Sequence, residues 1–187
     1  KAILYSFIIS SLVPKEWEVF PMSDELFFSL NDRLLSAWEK LLLSKVPDLS
    51  MHYIGATSLF CTSIAMCDAL YADHKNTVDF LGHTDNVTLN DHLASVTGMS
   101  LFDLSVVIGK KLGFDPQTLE VLSYAESPVA KATTLTQELG RYLHLLLFYV
   151  LCEPAYIQAN LNSFLRFMPE ETEELVEELM ILLGERE

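Results

Sequence analysis

The stretch "IGKKLGFDPQTLEVLSYAESP", Ile108–Pro128, decides how the rest of the chain is read. Gly113 carries no Cβ and can take the left-handed conformation that ends a helix. Asp115 can then offer a side-chain oxygen to the free N–H groups of a new helix, with Pro116 pre-set at its first position. The stretch is therefore a helix, a tight turn and a second helix. It admits two functional readings. One is a DNA-reading helix-turn-helix; the other is an architectural turn at the centre of an all-helical domain.

Outward from that turn the pattern stays helical. Upstream, helical periodicity runs from about Asn90 to Leu112, with Gly98 as a weak point. Downstream, Ser127-Pro128 repeats the start grammar of Asp115-Pro116 and precedes the long apolar stretch "TLTQELGRYLHLLLFYVL". Pro154 begins a further helix to about Phe167, and Pro169 opens the last, with Leu175, Val176, Leu179, Met180, Leu182 and Leu183 on its apolar face. Near the amino terminus, Ser23 is a good N-cap, and Asp24 and Glu25 sit where the helix dipole favours negative charge. Phe27, Leu30, Leu34, Trp38 and Leu41 form one stripe at helical spacing, and Pro47 ends it. "DLSMHYIGATSLFCTSIAMCDALYAD" repeats small residues (Gly55, Ala56, Ser58, Ser63, Ala65, Ala69), which predicts a helix in the middle of a bundle. Residues 73–89 change to polar turn formers, the longest loop-like region and a place where function often sits. Residues 3–13 read equally as buried helix or strand, and "KEWEVFP" as a short extended arm. No βαβ or hairpin series occurs, so the class is all-α.

The 187 residues suit one domain: an arm or remnant of a preceding segment over 1–22 and a single helical domain over 23–187. Lys1 in place of Met raises the expectation of a longer parent chain. Half the residues are hydrophobic, enough for a real core. Twelve basic residues stand against 26 acidic ones, a formal charge of −14. Duplex DNA needs Lys and Arg to replace released counterions, so nucleic-acid binding is disfavoured. The would-be recognition helix from Pro116 to Glu126 repeats that bias, since it presents Glu120 and Glu126 and no Lys or Arg; Lys110 and Lys111 lie on the helix before. Cys61, Cys67 and Cys152 form no CxxC pair. Cys61 and Cys67 fall in an apolar helical pattern, where a reduced thiol acts as a small hydrophobe, and this suits a reducing cytoplasm. "AILYSFIISSLV" is short of the roughly 20 residues that cross a bilayer, and no charged region precedes it, so neither a span nor a secretory signal is expected.

From about residue 48 to 183 the order of features resembles the HDOD domain, an all-helical relative of the HD phosphohydrolases found in bacterial signalling proteins. The matching stretch is "SLFDLSVVIGKKLGFDPQTLEVLSYAESP", then "ELGRYLHLLLFYVL", then "FLRFMPEETEELVEELMILL". It is similar to the family's helix closing before a Pro, short helix, residue pair before a second Pro, long apolar helix and acidic tail helix. "DLSMHYIGATSLFCTSIAMCDAL" is similar to the family's helix that begins near a Trp-Arg-His-Ser-like segment, with His52 at the His position. The departures concern chemistry. Many members carry two histidines before the second Pro, where this chain has Ala125 and Glu126. The His-Asp pair of the middle loop is missing; "FLGHTDN" offers His83 and Asp85 separated by Thr84. The resemblance implies an all-α, multi-helix orthogonal bundle with a short amino-terminal arm. It also implies a cytoplasmic signalling or regulatory module without catalysis or cofactor, acting with a protein partner, an adjoining signalling domain or a small signal.

Metal-dependent phosphohydrolysis would need imidazole and carboxylate ligands converging on a cation that activates water. The candidates are His52, His83, Asp85, Asp91, His92 and Glu126. Asp91 and His92 are adjacent, so on a helix they diverge by about 100 degrees and do not readily share an ion. His83 and Asp85 could share one from a loop; the competing reading is turn hydrogen bonding. No G-x-S-x-G elbow, Cys–His spacing, P-loop or dinucleotide glycine pattern is present. His144, between leucines on the long helix, reads as a core histidine. Trp17, Phe20, Phe27 and Phe28 either pack the arm on another chain or cover this chain's own core.

Overall fold

The computed structural model describes residues 13–75, 87–165 and 173–184. Among the described residues every regular element is helical, so the protein is an all-α, multi-helix bundle. The readings of residues 3–13, of most of the 73–89 loop with His83 and Asp85, and of the Pro169 helix start lie outside the described residues.

Helix α1 spans Asp24–Lys45, and the Ser23 side chain accepts from Leu26 N–H as expected. Its stripe of Phe27, Leu30, Leu34, Trp38 and Leu41 is wholly buried. A turn at Pro47–Leu49 leads into the single-turn α2, Ser50–Tyr53, and then α3, Ala56–Leu70. The sequence pattern read as one helix is thus interrupted at Ile54-Gly55. Gly55 lets Phe114 close in; a Cβ there would lie 2.4 Å from its ring. Every residue of α3 except Met66, Ala69 and Leu70 is buried, so the small-residue helix does occupy the middle. Pro47–Leu70 is long and apolar enough by composition to cross a membrane, but 78% of the tested window is buried inside the protein.

The periodic stretch from Asn90 to Leu112 is two helices, α4 (Leu89–Thr97) and α5 (Leu101–Leu112), bent by 66°. Gly98 adopts φ 73° and ends α4, after which Ser100 caps α5 through a reciprocal capping box with Asp103. Gly113, at φ 72°, ends α5 as the opening stretch requires. Helix α6 covers Pro116–Glu126, its N-cap Asp115 accepting from Gln117 N–H. Ser127-Pro128 does not start a helix. The chain runs irregularly to Thr134, which caps α7, Leu135–Leu151. Pro154 starts only α8, Pro154–Ile157; Asn160, at φ 61°, breaks the expected longer helix, and a 3-10 turn follows at Leu161–Phe164. The last helix, α9, is Glu173–Leu183.

The broadest contact is α6 on α7, with α5 on α3 and α6 beside it, and α1 bridging α3 and α7. Buried side chains from Val19 to Leu179 form one connected core.

Candidate functional site

The candidate ligands that the structure describes are spread over different elements, and each has a local partner. His52, on α2, bonds through Nδ1 to Asp115 Oδ2 at 2.8 Å, while Asp115 Oδ1 caps α6. Beside them the Thr118 hydroxyl donates to the His52 carbonyl, and Tyr53 Oη donates to Gln117 at 3.0 Å. The group stitches α2 to the start of α6. Asp91 completes a capping box with Thr88 at the start of α4. The His92 ring stacks on Tyr71, centroids 5.7 Å apart and planes 10° from parallel. Glu126, at the end of α6, accepts from Asn90 Nδ2 at 3.2 Å, and Asn90 Oδ1 accepts from Leu101 N–H. Among the described residues no three His, Cys, Asp or Glu side chains converge to hold a cation. Ala125 is fully buried. His144 Nδ1 donates to the Ala125 carbonyl at 2.8 Å and so closes the last turn of α6.

The helix-turn-helix can be judged from its outer face. Thr118, Leu119, Val121, Leu122 and Ala125 of α6 are buried, and Gln117, Glu120 and Ser123 face outward. That face offers a carboxylate and no cation to a phosphate backbone. The turn is closely packed: Gly109 on α5 leaves room for Leu119, and a Cβ there would lie 2.4 Å from Leu119 Cδ2.

The aromatic arm covers its own chain. Phe20 and Phe27 are buried, Trp17 lies 5.4 Å from Phe27, and Phe20 lies 5.5 Å from Phe164, ring centre to ring centre. What holds the arm is a residue that pattern reading passed over. Asp68, on α3 and only 1% exposed, accepts from the backbone N–H groups of Glu18, Val19 and Phe20 at 2.8–2.9 Å. A buried carboxylate is tolerated when such donors replace its water. An acid inside "AMCDAL" is the signal that could have flagged it.

A second unread cluster seats α9. Glu178 accepts from Lys45 on α1 and from the Tyr142 hydroxyl on α7, and the Lys45 ammonium sits 4.7 Å from the Tyr142 ring centre. Burial alone would raise the Glu178 carboxyl, but the hydrogen bonds from Lys45 and Tyr142 prevail and hold it below its ordinary range. Burial and the bond to Glu178 push the Tyr142 phenol up to about 12. For Lys45, burial works downward, and the bonds to Glu178 and Tyr142 outweigh it and raise the ammonium.

Beside this cluster, α7, α8 and α9 enclose a cleft of about 390 Å³ lined by Leu145, Phe148, Cys152, Val176 and Met180, with Glu153 at its rim. Arg33 holds Glu153 through Nε at 3.0 Å. Cys152 is half-buried there, and burial pushes its thiol up; Cys61 and Cys67 are fully enclosed, their thiols pushed up by burial far more. A raised thiol is a weak nucleophile at neutral pH. Comparison with protein-family models, with curated proteins and with solved structures finds no match for this chain.

Proposed function

We propose that this chain is a non-catalytic regulatory module of HDOD-like character, acting in the cytoplasm by binding a protein partner or a small signal. The observation that carries the proposal is how the described candidate ligands are used. His52 on α2, Asp91 and His92 on α4 and Glu126 on α6 each make a helix-joining or helix-capping contact of their own, and among the described residues no three such groups converge. A hydrolytic centre of the related phosphohydrolase type needs those groups to converge on a cation. Ala125 and Glu126 stand where the resemblance would expect a histidine pair, and their packing and the bond from Asn90 to Glu126 support a non-catalytic reading. The net charge of −14 and the acidic outer face of α6 weigh against nucleic acid as the partner.

The test is metal analysis of purified protein together with a phosphodiesterase assay in added manganese, iron or zinc. The expected result is substoichiometric metal and no turnover above buffer. Stoichiometric metal with turnover overturns the proposal, and loss of both on replacing His83 with alanine would assign the chemistry to His83 with Asp85.

A further inference from the structure

Helix α9 is attached differently from every other long helix. Of its residues Glu173–Leu183, Leu179 alone is fully buried. Leu175, Val176, Leu182 and Leu183 pack against the core only in part. Polar contacts add to them, among these Glu178 between Lys45 and Tyr142 and the Leu183 carbonyl, which accepts from Lys40 Nζ at 3.0 Å. Along the seam with α7 the packing is incomplete, leaving the 390 Å³ cleft between Leu145 and Phe148 on one side and Val176 and Met180 on the other. Packed interiors hold few voids larger than a water molecule, so this seam lacks much of the dispersion contact that holds α6 to α7. One fully buried leucine, a half-buried apolar face with a cleft along it and partly exposed polar anchors make a shallower well than those of the central helices.

We infer that α9 is a displaceable strap, which leaves and reseats on α1 and α7 while the remaining helices stay folded, and whose departure uncovers the apolar face of α7 around Leu145 and Phe148. The inference does not rest on the HDOD-like reading, since it needs only the way α9 is anchored. Such local opening is the ordinary behaviour of elements with few buried apolar contacts. It supplies a binding module with a surface that can be shown or hidden. Glu178 acts as the latch, because it joins α9 to α1 and α7 at once.

The cysteines provide the measurement. Cys152 is half-buried in the cleft that α9 helps to line, and Cys61 and Cys67 are enclosed in the central core. The full chain is treated with a small uncharged thiol reagent under native conditions, and modification at each cysteine is followed by peptide mass spectrometry. The variants are Leu179→Ala and Glu178→Gln. The strap predicts that Cys152 reacts about tenfold faster in Leu179→Ala and about threefold faster in Glu178→Gln, while Cys61 and Cys67 change less than twofold. Hydrogen exchange on the unaltered protein gives a second reading. The amides of Glu173–Leu183 should exchange by opening that is insensitive to low denaturant, unlike those of α3. The inference is overturned if Cys152 accelerates only together with Cys61 and Cys67, because α9 then leaves only on global unfolding. It is equally overturned if neither variant changes Cys152, or if α9 and α3 amides exchange in parallel.

Discussion

The central helices and the last helix solve the same problem by opposite means. Helices α3, α5, α6 and α7 meet through small residues. Gly109 admits the Leu59 and Leu119 side chains, Gly140 sits against the backbone of Tyr124, and the Ser63 and Ser105 hydroxyls meet at 2.6 Å inside the core. Close approach multiplies weak contacts, and the resulting interface leaves little room for change. Helix α9 instead lies on the outside, with one fully buried leucine, a half-buried apolar face and charged anchors that water can also satisfy. The first arrangement gives rigidity. The second gives an element whose attachment can be altered without disturbing the core.

The largest effect should come from the rigid side. Trp38→Ala removes a fully buried indole and its hydrogen bond to the Tyr53 carbonyl, and should lower unfolding free energy by about 3–5 kcal/mol in urea titration. A loss below about 1 kcal/mol would show that α1 is not part of the rigid unit. Next, Asp68→Ala strips two buried backbone N–H groups and one part-buried one of their acceptor and should cost about 3 kcal/mol. Asp68→Asn, which keeps one oxygen, should fall between the two; equal stability of all three proteins would mean the arm is not held there. Gly140→Ala is smaller. Its Cβ would lie 2.4 Å from Tyr124 Cβ and 3.0 Å from Tyr124 backbone carbon, a clash of about 1–3 kcal/mol only partly offset by alanine's helix preference. Gly109→Ala meets the ends of flexible leucines instead, so it should cost less, and a reversed order would undo the account of close packing.

The smallest effect belongs to α9 and depends on pH. Glu178 is held below its ordinary range by Lys45 and Tyr142, so its contribution is present above the unfolded carboxyl value of about 4.3 and is lost as pH falls through the folded value. Lys45 and Tyr142 are raised, so theirs is present at neutral pH and is lost as pH rises past about 10. The charged and titratable groups at this point are Lys45 from α1, Tyr142 from α7 and Glu178 itself, and the half-exposed positions keep the effect small. Hydrogen exchange of α9 should therefore quicken below pH 4.5 before that of α3. Simultaneous quickening would place α9 in the same cooperative unit as the core.

Several helix ends were legible because their causes are local. Ser23, Gly113 and Asp115-Pro116 stop or start helices through groups within four residues of one another, and the structure uses each as expected. Two other boundaries had the same kind of signal. Thr88 with Asp91 and Ser100 with Asp103 are capping boxes; the first starts α4, and the second, after Gly98, divides what periodicity alone reads as one helix. Ser127-Pro128 is the reverse case, a good start signal that the tertiary fold does not use. The half-buried face of α9 was also readable, since Leu175, Val176, Leu179, Leu182 and Leu183 turn inward as spaced, while Met180 of the same expected face lines the cleft. His144 as a core histidine and Cys61 and Cys67 as buried thiols follow from their apolar neighbours.

The chain by itself determined its all-helical class, its apolar stripes and most of its caps, because backbone dihedrals, dipoles and side-chain periodicity act over a turn or two. Only the tertiary structure decided which residues meet. Asp68 finds the arm fifty residues away, Lys45 finds Glu178 across 133, and His52 finds Asp115 across 63. Pairings at such separations come from how the helices pack as solids, and no local preference encodes them.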